Sequence, residues 1–582
     1  MDNVEKIKMM KIIDIKNRRE FYKISGMFLL GLAVYGTIIA FFTSTVYVTA
    51  DEELYVALAK SFHYTGSFEV NGKMANYNCV LYSILISLAY YFYSPESILF
   101  FMRFIGVICM CSAIFPIWLL ARRILKNEKE IVFISGLSML MPYMFDCAYL
   151  IQEVLSYPLF LWTIYFLFLA YEQLIIPKGY KPFILGAVFS VFSFFTKTYL
   201  FFIPVVFNIC LFLEAWKKKR AKEIVRGLCL YDGIYLAMTG VLYILINAMN
   251  GFETGSNHYA GQFSWLFPVT KWTVISGVVC IAVYTALLVI NMGIIPPLSI
   301  LCSMKKYEET IRWFAALILT SCMFLVVEIV VLIVLTEEGV PTVPHKFLFR
   351  YFQVLVPPVL ILFTKIRGET DFRKQRVFTA ISAVSLSVTG IYFIYMNGNT
   401  RQSIADGYFY LLLENITKNI LPYGDVIIIL MIACLLTIII VTSGKKNKSV
   451  LKPFCVIGIA GILSLWLLNC IQLPFYTNSV AGGKQIQEDS IKIARYLNEN
   501  EYDYIYYVVS SMEENDSYVR NFYGYMKQPH QVIYPDEIEG VIKEGEKRKA
   551  VFLVSTDTTG EVLKSSGMMD IGLELNKLQI YV

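Results

Sequence analysis

Directly after an uncharged apolar run from Ile24 to Ala50, the chain places Asp51-Glu52-Glu53-Leu54-Tyr55. A carboxylate cluster where a membrane span ends stands between lipid and water, within reach of a lipid head group and of a water-borne substrate. Carboxylates at a membrane edge are costly to bury and mark functional sites more often than surface acids do. Asp51 is therefore the first candidate for acid–base chemistry, with Glu52 beside it. The competing reading is a helix cap: Thr49 followed three residues on by Glu52 is a capping box, and acids in a first turn suit the helix dipole. Either way, a helix starts here.

A membrane scaffold must hold these groups. Of 582 residues, 57% are hydrophobic and 16% charged, and many apolar runs approach the ~20 residues that cross a bilayer. An all-α polytopic membrane protein is expected, with the lipid bilayer as its first partner. The net charge is +6, but the basic residues fall in short clusters between apolar runs, which reports orientation and speaks against nucleic acid. Of twelve cysteines only Cys79 lies in a polar loop region and no CxxC occurs, so neither a disulfide framework nor a zinc site is read. His63, His258, His345 and His530 lack HExxH spacing, which argues against a metallohydrolase. No metal ligands and no cofactor are expected; a divalent cation is left open.

Lys6 to Lys23 is basic, so the N-terminus is placed in the cytoplasm and the first span runs outward as a retained signal anchor. Asp51 is then outside. The next basic cluster is Arg122, Arg123 and Lys126, and one return crossing must precede it. Ile98–Leu120 is long enough for that crossing, whereas Val80–Tyr93 is short and should lie along the outer surface. Leu54, Tyr55, Leu58, Ala59 and Phe62 share a face at helical spacing, with Glu53, Lys60 and Ser61 elsewhere. Residues 51–63 thus read as an amphipathic interfacial helix, and the first outer loop, 50–97, holds two helices lying flat.

Further crossings are read at Val132–Phe145, Val154–Tyr171, Phe183–Phe195, Tyr199–Trp216, Gly227–Met249, Thr273–Leu298, Trp313–Leu335, Phe347–Phe363, Val377–Met396, Val426–Val441 and Phe454–Ile471. The alternation closes with about thirteen spans in residues 1–472 and leaves the C-terminus outside. From 473 to 582 the composition turns polar and tyrosine-rich. Ile486, Ser490, Ile493, Ala494 and Leu497 trace a helix; Asp503–Ser510, Ala550–Ser555 and Leu573–Val582 read as strands, and Asp536–Glu544 as helical. A small extracytoplasmic α/β domain follows, with no nucleotide-binding glycine motif.

With that topology, Asp51-Glu52-Glu53-Leu54-Tyr55 followed by Ala57, Ala59, Gly66 and Tyr82 resembles the first outer loop of GT-C glycosyltransferases. The likeness is to their protein O-mannosyltransferase, aminoarabinose-transferase and lipopolysaccharide-core transferase-like branch. The resemblance implies a polyprenyl-phosphate-linked sugar donor, an outer active site, and Asp51 as the catalytic residue with Glu52 and Tyr55 close by. Asn76-Tyr77-Asn78-Cys79-Val80 lacks the proline pair many relatives carry there, so the substrate class stays open.

Three further patches fit the family pattern: Arg103 near the outer start of a long apolar segment, Lys197 in Phe195-Thr196-Lys197-Thr198, and Arg350-Tyr351 ahead of Pro357 and Pro358. A phosphate leaving group needs positive charge where negative charge develops, and the resemblance assigns Lys197 and Arg350 to it, with Arg103 in support. The competing reading for each is snorkelling from a span end. Glu153, close to Asp146, is expected to orient sugar or acceptor, and His345 to contact phosphate; the alternatives are a solvated loop acid and a structural histidine.

The resulting expectation is a plasma-membrane transferase acting on an envelope glycan, lipid or protein acceptor. A flippase or other transporter of lipid-linked glycans would instead want duplicated halves and charges inside the bundle, and a non-catalytic assembly factor would leave Asp51, Lys197 and Arg350 far apart.

Overall fold

The structure, a computed structural model, describes residues 18–42, 50–70, 73–75, 77–92, 94–175, 179–217, 221–250, 270–292, 295–331, 349–366, 466–467, 470, 484–500, 502–508, 530–545, 550–555, 560–565, 567–573, 575 and 578–582. Thr49, His345 and the expected crossings at 377–396 and 426–441 lie outside them, as does most of 454–471. Among the described residues six helices are long and apolar enough to cross a membrane, or seven if one bent pair is a single span. The chain is a multi-pass membrane protein.

The first span, α1 (Arg18–Phe42), is tied at its Arg18 end by two ion pairs, Arg122 with Glu20 and Lys23 with Glu128. α2 (Ala50–Thr65) is ended by Gly66, whose φ of +71° is the left-handed region where a Cβ is strained. Leu81–Tyr91 is helical as α3 (Leu81–Ile86) and a 3-10 turn. The return crossing is broken at Ala113 into α4 (Pro95–Ser112) and α5 (Ile114–Ile124). Ser94 starts α4, its hydroxyl accepting from the Ser97 amide at 3.1 Å with Pro95 in the first turn.

The run expected as one crossing at Val132–Phe145 is α6 (Glu128–Met139) followed by a 3-10 segment Pro142–Ala148 bent by 46°. Proline at its start breaks the helical ladder. Next come α7 (Glu153–Ile175), α8 (Lys181–Thr196), α9 (Phe202–Lys217) and α10 (Ala221–Met249). A Cβ on Gly227 would meet the buried Phe183 ring at 2.6 Å, so α10 crosses α8 at a separation only glycine permits.

α11 (Lys271–Asn291), α12 (Ile295–Ser303) and α13 (Glu309–Ile329) follow. The run expected to cross as a helix from Phe347 instead enters through 3-10 turns at Phe349–Tyr351 and Gln353–Leu355, and α14 spans only Val356–Ile366. Pro357 and Pro358 sit in its first turn, where missing amide donors are tolerated.

A second correction concerns Lys60, expected on the polar face of a surface helix. Tyr55 through Lys60 are all buried, Lys60 at 4% exposure, because α2 packs against α3, its 3-10 extension and the short hairpin β1 (Glu69–Val70) and β2 (Lys73–Met74). Burial pushes the Lys60 ammonium down to about 7.

Beyond residue 484, α15 (Lys484–Glu499) leads into β3 (Tyr504–Val508), β4 (His530–Ile533), α16 (Ile538–Gly545), β5 (Ala550–Ser555), α17 (Gly560–Ser565) and β6 (Leu578–Tyr581). The sheet order is β4-β3-β5-β6, parallel but for β6. β4 was not read from the sequence: four residues starting His-Gln show no alternation, and pairing with Ile505–Val508 makes them a strand. Arg495 of α15 donates to Glu96 of α4 at 2.5 Å, an exposed contact worth little by itself.

Candidate active site

Four chain segments that are distant in sequence bring their polar ends together. Asp51 stands in the first turn of α2 and Glu153 opens α7, so both carboxylates suit the positive end of a helix dipole. Lys197 closes α8 in an extended conformation and Tyr199 follows in the turn Thr198–Phe201. Arg350 and Tyr351 come from the 3-10 turn ahead of α14.

At the centre is Glu153, 1% exposed, with Lys197 Nζ at 3.2 Å and Arg350 Nε at 3.4 Å from one oxygen. Arg350 reaches the other way as well, its Nη2 standing 3.5 Å from Asp51 Oδ2. The Asp51 side chain is 45% exposed against 10% for each cation, so the outermost acid is the one open to an incoming molecule.

Lys197 Nζ is 3.5 Å from the Tyr55 hydroxyl, 5.9 Å from the Tyr55 ring centre and 5.7 Å from that of Tyr351. The Arg350 guanidinium lies 5.2 Å over the Tyr351 ring, which meets Tyr199 edge-on at 4.7 Å. Burial alone would lower the Lys197 ammonium, but Glu153, Tyr351 and Asp51 together outweigh it and hold the group well above its ordinary value, so Lys197 is a fixed positive charge. Burial pushes the Tyr55 phenol well up, which keeps it neutral.

Of the residues read from sequence, Asp51, Tyr55, Glu153, Lys197, Arg350 and Tyr351 converge. Glu52 does not face the opening. It is fully buried, and its carboxylate accepts the Leu150 amide at 2.8 Å, anchoring α2 to the segment before α7. Arg103 is 1% exposed on α4, so it is no snorkelling side chain.

Two buried glutamines brace the site from behind. Gln353 donates to Asp146 Oδ2 at 2.6 Å, both buried, and Gln152 donates to the Cys79 carbonyl at 2.5 Å. These bonds lock the Arg350 turn and the segment around Cys79 to the stretch that presents Glu153. A glutamine two residues past Arg350-Tyr351 was the only signal for the first. Gln353→Leu is expected to lower stability by about 1.5–3 kcal/mol, the worth of a buried hydrogen bond to a charged group. Thermal unfolding in detergent checks it, and an unchanged midpoint would remove Gln353 from the scaffold.

The architecture is shared with a crystal structure of ArnT from Cupriavidus metallidurans bound to undecaprenyl phosphate, at TM-score 0.54 and 12% identity over 96% of this chain and 98% of that one. The apo structure of the same protein aligns at 0.53 and 11% over the same shares. The chain has the GT-C fold. At such identity the likeness extends to the fold alone, and no family model and no curated protein sequence matches the chain. Within this GT-C fold, the polar cluster joins the starts of α2 and α7 to the end of α8 and the Arg350 turn.

Proposed function

We propose that the chain is a membrane glycosyltransferase that moves a sugar from a polyprenyl-phosphate carrier to a cell-envelope acceptor on the outer face of the plasma membrane. The observation that carries this reading is the meeting of an open carboxylate, Asp51, with two buried cations, Lys197 and Arg350, within one cluster. The ArnT structure that shares the fold was solved with undecaprenyl phosphate bound, which supports the donor class. The basic N-terminus supports a cytoplasmic start and an external C-terminal domain.

In this mechanism Asp51 accepts the proton of the acceptor hydroxyl as its oxygen bonds to the anomeric carbon. The bond from that carbon to the phosphate oxygen breaks, its electron pair leaves with the polyprenyl phosphate, and one displacement inverts the centre. A carboxylate is a weak base, yet it suffices where proton transfer is late and the leaving group is stabilised. Lys197 and Arg350 supply that stabilisation, fixed in place before reaction by Glu153 and the aromatic rings. A neutral Tyr55 adds a hydroxyl beside Lys197. Because side-chain cations meet the leaving charge, the mechanism assigns no step to a metal.

Purified protein in nanodiscs, given radiolabelled polyprenyl-phosphate sugars and envelope acceptors, is expected to release free polyprenyl phosphate with label on the acceptor. Movement of intact donor between leaflets without breakage of the sugar–phosphate bond would replace the enzyme with a flippase. Neither reaction would leave a non-catalytic assembly factor.

A further inference from the structure

Glu328 lies one residue from the end of α13, in a run that otherwise reads Met-Phe-Leu-Val-Val before it and Ile-Val after it. It is 8% exposed, and among the described residues neither carboxylate oxygen has a hydrogen-bond partner. A carboxylate buried in a membrane helix is expensive, and such groups persist where a partner arrives during function. The site described above does not use it.

Its surroundings suggest what that partner is. α13 packs against the turn Thr198–Phe201 that follows Lys197 and carries Tyr199. Tyr199 is also buried, its hydroxyl beside Ser156 without a hydrogen bond of good geometry. The Tyr199 ring meets Tyr351 at 4.7 Å, and Tyr351 carries the Arg350 guanidinium over its face. A buried carboxyl group and a buried tyrosine hydroxyl therefore stand one aromatic pair behind the two buried cations. A sugar hangs from its carrier phosphate through a single oxygen. Its ring hydroxyls thus lie a few bond lengths beyond the phosphate oxygens, and its C–H faces suit aromatic walls.

We propose that Glu328 reads the transferred sugar, its carboxyl group hydrogen-bonding to ring hydroxyls while Tyr199 and Tyr351 pack against the ring. The inference rests on the polyprenyl-phosphate donor proposed above, and it concerns specificity: a site built to bond hydroxyls discriminates strongly against sugars that cannot supply them. The competing role is structural, a neutral acid filling the bundle.

The test compares wild type, Glu328→Gln and Glu328→Leu, each as the full chain in nanodiscs. Probes are undecaprenyl phosphate alone and undecaprenyl phosphate carrying a pentose (arabinose) or a hexose (glucose or mannose). Bare undecaprenyl phosphate is expected to bind all three proteins alike, which also reports that the variants fold. The best sugar-bearing lipid should bind Glu328→Leu at least about tenfold more weakly, the scale of leaving a desolvated hydroxyl unpaired, with Glu328→Gln between. The preference among the sugars should flatten in the same order.

Equal loss for bare and sugar-bearing lipid would make Glu328 structural and overturn the proposal, as would no loss for either; both leave the transferase reading standing. If wild type binds none of the lipids, the donor class itself fails and the sugar subsite fails with it.

Discussion

Asp51→Asn is expected to lower sugar transfer by roughly 10²–10⁴-fold, the range supplied by a positioned general base. The side chain keeps its size and still offers an oxygen to Arg350, whose Nη2 stands 3.5 Å from it. It is the most exposed member of the cluster, so neither packing nor thermal stability should change much. Donor affinity should hold within about twofold, since the loss falls on a step made only in the transition state. Single-turnover transfer and lipid binding measured on the same preparation separate the two. Full activity in Asp51→Asn would end the proposed mechanism; parallel loss of binding and rate would make Asp51 a donor-site residue instead.

Arg350→Lys is the second large effect. The guanidinium fork touches Asp51 with one nitrogen and Glu153 with another while its plane covers Tyr351. An ammonium is a point charge and cannot bridge both carboxylates or lie flat on the ring. Net charge is conserved, so a purely electrostatic role would leave the enzyme near normal. The geometry instead predicts a fall in kcat/KM of roughly 10²–10³-fold, the usual consequence of losing an oriented charge-stabilising donor. Arg350→Ala should fall further and add a stability loss of about 1–3 kcal/mol, because Glu153 stays buried with Lys197 alone. Kinetics on a polyprenyl-phosphate donor, beside thermal unfolding, test both. An Arg350→Lys enzyme within threefold of wild type would reduce Arg350 to a general positive charge.

Much of this site was legible because membrane chemistry restricts where charge can go. In a chain this apolar, a carboxylate at a span end stands out by type alone, which singled out Asp51, whereas Lys197 and Arg350 were singled out by the resemblance to GT-C glycosyltransferases. Their roles within the cluster were less accessible. Glu153 read equally well as a solvated loop acid, yet it is 1% exposed and pairs with both cations. Lys60 read as solvent-facing and is buried, since spacing along one helix does not reveal what packs over its other face.

The amino-acid order by itself determined the bilayer as solvent, the helical class, the start of a helix at Asp51 and the α/β alternation after residue 484. Those features depend on composition and on contacts within a few turns. Tertiary structure alone decided that Arg350 meets Asp51 across 299 residues. It also decided that of two neighbouring acids Asp51 faces the opening and Glu52 the interior, and that Glu328 is left without a donor among the described residues. Adjacent side chains on a helix point about 100° apart. Which of them meets water, a cation or apolar wall is set by segments far away in the chain, and no local pattern records it.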